Sequence, residues 1–189
     1  MAIHASLKPT ALLILAGGRA QRMGGIDKAF YQHAGSPLIN HAMQLSRRFE
    51  NVWVASGRSA ERYKALNIDT LADAIPGFAG PLSGLIAGFR RLQRGVLLSM
   101  PVDLLGPTGE DLQRLLDTIK ADERCRYAII AGRHQPLLAA WRVDSELIEL
   151  AEQRLQRGAG SVYQLQDEID AQPLDFGERS AHWQNLNKI

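Results

Sequence analysis

The run from Leu15 to Lys28 reads Leu-Ala-Gly-Gly-Arg-Ala-Gln-Arg-Met-Gly-Gly-Ile-Asp-Lys and carries the residue types a polyphosphate needs. Glycines let the main chain approach an anion closely, bare loop N–H groups can point at it, and Arg19, Arg22 and Lys28 offset its charge. The run follows Ala11–Leu12–Leu13–Ile14, an apolar stretch that reads as a buried strand. Its spacing excludes two familiar phosphate loops. Gly18 to Lys28 is too long for G-x-x-x-x-G-K-[ST], and Ala29 stands where that loop's metal-binding hydroxyl belongs. The dinucleotide fingerprint G-x-G-x-x-G is absent from it. Two readings stand: a nucleotide-phosphate loop of another kind, or a solvated basic surface loop.

Two carboxylates follow apolar runs in the same way. Asp103 comes three residues after Val96–Met100, and Asp73 comes after Ile68–Leu71. A carboxylate is a hard oxygen ligand suited to Mg²⁺, which uses one or two of them and takes phosphate oxygens from its substrate. A loop aspartate that satisfies nearby backbone amides is the other reading of Asp103, and the local sequence does not separate the two. Asp73 on its own reads as a turn residue. His134, beside Gln135-Pro136, reads as a turn histidine that could face a ligand. His4, His33, His41 and His182 have no partners at metal-ligand spacing.

These residues need elements to hold them, and strand and helix patterns alternate nearly throughout. That favours a mostly parallel sheet covered by helices, with ligands beyond the carboxyl ends of its strands. The first strand ends near Leu15. Ser36-Pro37 predicts an N-cap with proline at the first helical position, followed by Leu38, Ala42, Leu45 and Phe49 on one face. A strand is expected at Asn51–Ser56, a short helix around Ala60–Leu66 and a brief strand at Ile68–Leu71. Asp73–Pro81 reads as a loop, and a helix opens at Gly80-Pro81 with Leu82, Leu85, Ile86 and Phe89 inward. Val96–Met100 reads as a strand stopped by Pro101. Thr108 and Asp111 resemble a capping box. Tyr127–Ala131 and Leu137–Trp141 read as strands joined by a Gly-Arg-His-Gln-Pro turn, and Asp144 as the cap of the next helix. A short helix near Ser161 and a strand near Pro173 complete the pattern.

The 189 residues suffice for one well-cored domain over 1–189, with 46% hydrophobic and 22% charged residues. A net charge of +2, mostly interleaved as in Asp122-Glu123-Arg124-Cys125-Arg126, gives no footprint for nucleic acid. The single cysteine, Cys125, excludes an internal disulfide and fits a reducing compartment. No apolar run reaches membrane-spanning length, and Met1–Pro9 lacks a secretory core. A cytoplasmic protein without membrane or nucleic-acid partners is expected.

The motifs together resemble those of the molybdenum cofactor guanylyltransferases, over nearly the whole chain. The strongest match is Leu-Ala-Gly-Gly-x-x-x-Arg-Met-Gly-x-x-Lys, here Leu15 to Lys28; Gly18 and Asp27 resemble the guanylyl branch, where cytidylyltransferases usually read Leu-Ala-Ala-Gly. Asp73 and Gly80-Pro81-Leu82-Ser83-Gly84 are similar to a guanosine-binding segment. Pro101-Val102-Asp103 resembles the family's metal-binding aspartate at a strand end. Gln135-Pro136 resembles a pair facing the pterin, and Asn185-Leu186-Asn187 a C-terminal Asn-x-Asn. Ala55 departs from the asparagine some members carry, and Gly158-Ala159-Gly160-Ser161 lacks the basic residues often found there.

The resemblance implies an α/β, three-layer Rossmann-like nucleotidyltransferase fold with a mostly parallel central sheet. It implies transfer of GMP from GTP to molybdopterin with release of pyrophosphate, Mg²⁺ as cofactor and molybdoenzyme maturation factors as partners. Arg22, Lys28 and Asp103 become the catalytic candidates, with Asp103 on the metal. Leu15, Ala16, Gly17, Gly18, Lys28, Asp73, Asp103 and Asn187 become nucleotide contacts, and His134, Gln135 and Pro136 acceptor contacts. The alternatives are a nucleotidyltransferase using CTP or a sugar-phosphate acceptor, and a GTP-binding protein without turnover.

Overall fold

The computed structural model describes residues 10–17, 27–56, 60–74 and 80–186. Its first half contains β1 (Thr10–Leu15), a 3-10 turn (Lys28–Phe30), β2 (Gln32–His33), β3 (Ser36–Pro37), α1 (Leu38–Ser46), β4 (Asn51–Ala55), α2 (Ala60–Lys64), β5 (Thr70–Leu71) and α3 (Pro81–Leu92). The second half contains β6 (Gly95–Pro101), β7 (Leu104–Leu105), α4 (Gly109–Thr118), β8 (Cys125–Ile130), β9 (Arg133–Val143), α5 (Ser145–Gln156), α6 (Val162–Glu168), β10 (Gln172–Asp175), a 3-10 turn (Gly177–Ser180) and β11 (Gln184–Asn185).

Seven strands form one sheet in the order β10-β8-β9-β6-β1-β4-β5. Only β9 runs against its neighbours; β1 is parallel to both β4 and β6, β4 to β5, and β8 to β10. The expected mostly parallel α/β fold is therefore present, with one antiparallel strand inserted. Alternation along β1 shows why both faces need helices. Leu12 and Ile14 join a core with α1, α2 and α4, while Leu13 and Leu15 join one with α3, α5 and α6. The sheet thus lies between two helical layers.

Close packing sets the height of α3 over the sheet. A Cβ on Gly88 would stand 2.7 Å from Leu13 Cδ2, and one on Gly84 3.0 Å from Ala55 Cβ. Gly84 brings the start of α3 down onto the ends of β1 and β4, and Gly88 brings its later turns onto the middle of β1 and β6. No helix among the described residues is long and apolar enough to cross a membrane.

Several local expectations needed correcting. Ser36 and Pro37 form β3, paired with β2, so Pro37 itself occupies the N-cap of α1 and no side chain caps that helix. Pro101 ends inside β6, because a proline at the last strand position needs no further ladder donor. The Gly-Arg-His-Gln-Pro turn does not form. β9 begins at Arg133, the turn is Ala131-Gly132, and His134, Gln135 and Pro136 are strand residues. Ala131 and Gly132 both take positive φ, 48° and 72°, so this tight connection extends the strands farther than the Pro136 signal suggested. The Thr108–Asp111 capping box and the Asp144 cap are present as expected, and Ser161 caps the short helix expected near it.

Candidate active site

β1 and β6 lie side by side and end together, Leu15 opposite Pro101. The chain continues from Pro101 through Val102, whose N–H donates to the Leu15 carbonyl at 3.1 Å, extending the ladder one step beyond the strand. That step brings Asp103 to the carboxyl edge, 6% exposed. Its carboxylate forms an ion pair with the Lys28 ammonium, which comes from the 3-10 turn after β1. The two residues that the sequence marked most strongly are therefore in contact.

The backbone of Leu15–Gly17 is more committed than a bare phosphate cradle. Ala16 and Gly17 both donate their N–H groups to the Ala55 carbonyl, at 3.0 and 3.1 Å. These residues close the gap between β1 and β4 at the edge of the site, and the Ala55 carbonyl is the acceptor they share. Gly18 and Arg22 lie outside the described residues, as do Arg19 and Asn187.

Lys28 is held from below. Asp27 caps its turn, with Oδ1 accepting the Ala29 N–H at 3.1 Å. A trailing segment reaches the other partner: β11 pairs antiparallel with β7, and the Leu186 N–H donates to the Asp103 carbonyl at 3.0 Å. The Asn185-Leu186 segment thus lies beside Asp103, while Asn187, the residue of that motif expected to reach the nucleotide, lies outside the described residues.

Asp73 follows β5 and is separated from β1 by β4, so it shares the carboxyl edge but does not join the Lys28–Asp103 pair. Burial raises its carboxyl above the ordinary range. His134 lies at the start of β9, which the antiparallel register brings to this same edge. Its ring is already engaged. It stacks on Tyr127 at 3.6 Å between centroids, meets the Tyr163 ring edge-on at 4.3 Å and shares a 2.9 Å hydrogen bond with Gln166 Oε1. Gln166 Nε2 donates to the Pro136 carbonyl at 3.0 Å, so one α6 side chain fixes both His134 and Pro136. Gln135 pairs with Ala128 at the irregularity in the β8–β9 register.

Sequence reasoning missed Gln166, Tyr163 and Tyr63. A polar residue in a short helix gives no periodic signal, and each of these acts on a strand or turn remote in the chain.

Among the described residues no group of three or more His, Cys, Asp or Glu side chains gathers for a metal. One buried carboxylate at a strand end suits a hard cation that completes its shell with water and phosphate oxygens, and does not suit a protein-caged ion. Asp103 therefore fits Mg²⁺ arriving with a nucleotide.

The seven-stranded α/β sheet of this order is the fold of solved nucleotidyltransferases, among them a nucleotidyl transferase from Methanothermobacter thermautotroptrophicus, with a TM-score of 0.66, 15% identity, and coverage of 90% of this chain and 88% of that one. The fold is that of the crystal structure of molybdopterin-guanine dinucleotide biosynthesis protein A from Archaeoglobus fulgidus, with a TM-score of 0.71, 18% identity, and coverage of 87% of this chain and 83% of that one. Within the class, residues 12–170 match the family model described as MobA-like NTP transferase domain, and the chain belongs to that family. It is 32% identical over 96% of its length to a molybdenum cofactor guanylyltransferase of Pseudomonas paraeruginosa, covering 92% of that protein. It is 40% identical over 62% of its length to the protein of the same name from Ralstonia nicotianae. The chain spans about half the length of several curated relatives it matches, 57% in the Ralstonia nicotianae case.

Proposed function

We propose that this protein transfers the GMP part of GTP to molybdopterin, forming the guanine dinucleotide cofactor and releasing pyrophosphate. The observation that carries the reading is the Lys28–Asp103 contact at the joined ends of β1 and β6, in a chain of the MobA-like family. The terminal phosphate of molybdopterin is the nucleophile. It is anionic at neutral pH, so no strong general base is needed, and the protein works by alignment and charge neutralisation.

Lys28, with Arg22 beside it in sequence, offsets charge on the triphosphate as the α-phosphorus is attacked in line. Leu15, Ala16, Gly17 and Gly18 frame the nucleoside, with Asp73 and Asn187 as further nucleotide contacts. Asp103 holds Mg²⁺, which supplies charge stabilisation at the phosphates when bound. His134, Gln135 and Pro136 face the acceptor. The aromatic and Gln166 contacts of His134 support a fixed wall there, and its burial favours the neutral ring.

Incubation with GTP, Mg²⁺ and molybdopterin, followed by mass analysis, tests the proposal. The expected products are molybdopterin guanine dinucleotide and pyrophosphate. Product formed from CTP in preference to GTP, or no dinucleotide at all, would overturn it.

A further inference from the structure

Tyr63 on α2 is fully buried, and its hydroxyl donates to the carboxylate of Asp27, 3.2 and 3.3 Å from its two oxygens. A core position that needed only volume would be served by phenylalanine, since a buried hydroxyl is costly unless it is bonded. Here the hydroxyl has a defined task. Asp27 is the residue that caps the turn bearing Lys28, so the Tyr63 bond fixes the orientation of the cap itself.

The same short helix grips the other end of that turn. The Phe30 ring lies 4.9 Å from the Tyr63 ring, and the Arg62 guanidinium sits 3.7 Å over the Phe30 face. A continuous set of contacts therefore runs from Tyr63 through Asp27 to the turn of Lys28, and from Lys28 to Asp103. Burial and the Asp27 charge raise the phenol far above its ordinary pKa, so it remains a donor wherever the fold persists.

We propose that Tyr63 is a positioning residue for the transfer reaction, acting through Asp27 to hold the turn that presents Lys28 to the triphosphate. This rests on the nucleotidyltransfer reading. It assigns to the β4–α2–β5 segment a part in the reaction that no residue of the phosphate loop itself supplies.

The test is a double-mutant cycle of Tyr63→Phe and Asp27→Ala, with Asp27→Asn as a milder variant that keeps an acceptor for the turn. Phe keeps the ring packing and removes only the hydroxyl. The expected result is a fall in kcat of about tenfold for Tyr63→Phe, a change in KM for GTP below about threefold, and a melting temperature within a few degrees of wild type. The double variant should be no slower than the slower single one, because both act through one contact. A kcat within about twofold of wild type, or losses that multiply, would overturn the proposal. A wild-type chain that makes no dinucleotide defeats the functional reading instead. The contact is then read on the turn itself, as amide hydrogen exchange of residues 28–31, where faster exchange in each single variant and no further rise in the double variant support the positioning role, and unchanged or additive exchange refutes it.

Discussion

Lys28 and Asp103, 75 residues apart in sequence, pair across the joined ends of β1 and β6, with side-chain exposures of 24% and 8%. Each would otherwise be a charge held partly out of water, which is costly without a partner. The pair keeps an ammonium and a carboxylate at the same point of the edge. In the proposed reaction those are the two charges that a triphosphate with its divalent cation calls for, the ammonium for the phosphates and the carboxylate for the metal.

Removing either charge should therefore harm turnover well beyond its effect on folding. Asp103→Ala and Lys28→Ala are each expected to lower kcat by roughly 10²-fold or more, the scale of losing one electrostatic stabiliser. Steady-state pyrophosphate release at saturating GTP, across a Mg²⁺ titration, provides the measurement. Near-normal turnover of Asp103→Ala at any Mg²⁺ concentration would remove that residue from the metal site.

Gly106 supports Asp103 from outside the site. Its φ is +106°, and a Cβ there would stand 2.8 Å from the Trp183 backbone. The β7–β11 pairing that follows this close approach carries the Leu186 N–H to the Asp103 carbonyl. Gly106→Ala should destabilise by about 1–3 kcal/mol through strain and displacement of Trp183. It should also lower turnover, because the backbone behind Asp103 loses its anchor. Urea unfolding and kcat, measured on the same preparation, check both; an Ala variant as stable as wild type would contradict the packing account.

Much of this site is legible in the sequence because strand ends announce themselves. Leu15 and Met100 each end an apolar run, and Lys28 and Asp103, which follow them, fall at the carboxyl edge of a mostly parallel sheet. The Thr108–Asp111 cap was readable for the same reason, since its chemistry is local. The antiparallel course of β9 was not. Its first residues, Arg133 to Pro136, carry turn-type signals, and only pairing with β8 and β6 makes them a strand. Tyr63 was equally hidden: its role depends on Asp27, 36 residues earlier, and no periodicity reports such a contact.

His134 predicts a pH dependence of stability. Burial lowers its pKa from the ordinary 6.5, against the opposing pull of Gln166 and Asp167, so the folded state prefers the neutral ring. The stabilisation is fully present above about 6.5 and drains away as pH falls through the lowered folded value. Denaturant unfolding from pH 8 to pH 5 should show wild type losing stability in that window and His134→Gln losing less. Parallel curves for the two proteins would show that the stack does not disfavour the charged ring.

Asp111 carries the opposite charge logic into the acid range and ties a helix cap to the segment beside Asp103. Burial alone would raise its carboxyl, but the Thr108 N–H and hydroxyl and the Arg179 guanidinium outweigh that and lower it. A depressed folded value means stability that is present above the ordinary 3.8 and is lost as pH falls through the lower one. Arg179 belongs to the Gly177–Ser180 turn, directly before Trp183 and β11. Thr108→Ala should cost about 1 kcal/mol, the usual value of an N-cap. Asp111→Asn should be less stable than wild type at neutral pH and converge with it only once pH has fallen below the lowered folded value, where both side chains are uncharged. Acid titrations of unfolding free energy for the two proteins decide the matter, and a constant gap down to the lowest pH would show that the Asp111 charge contributes nothing to holding this turn.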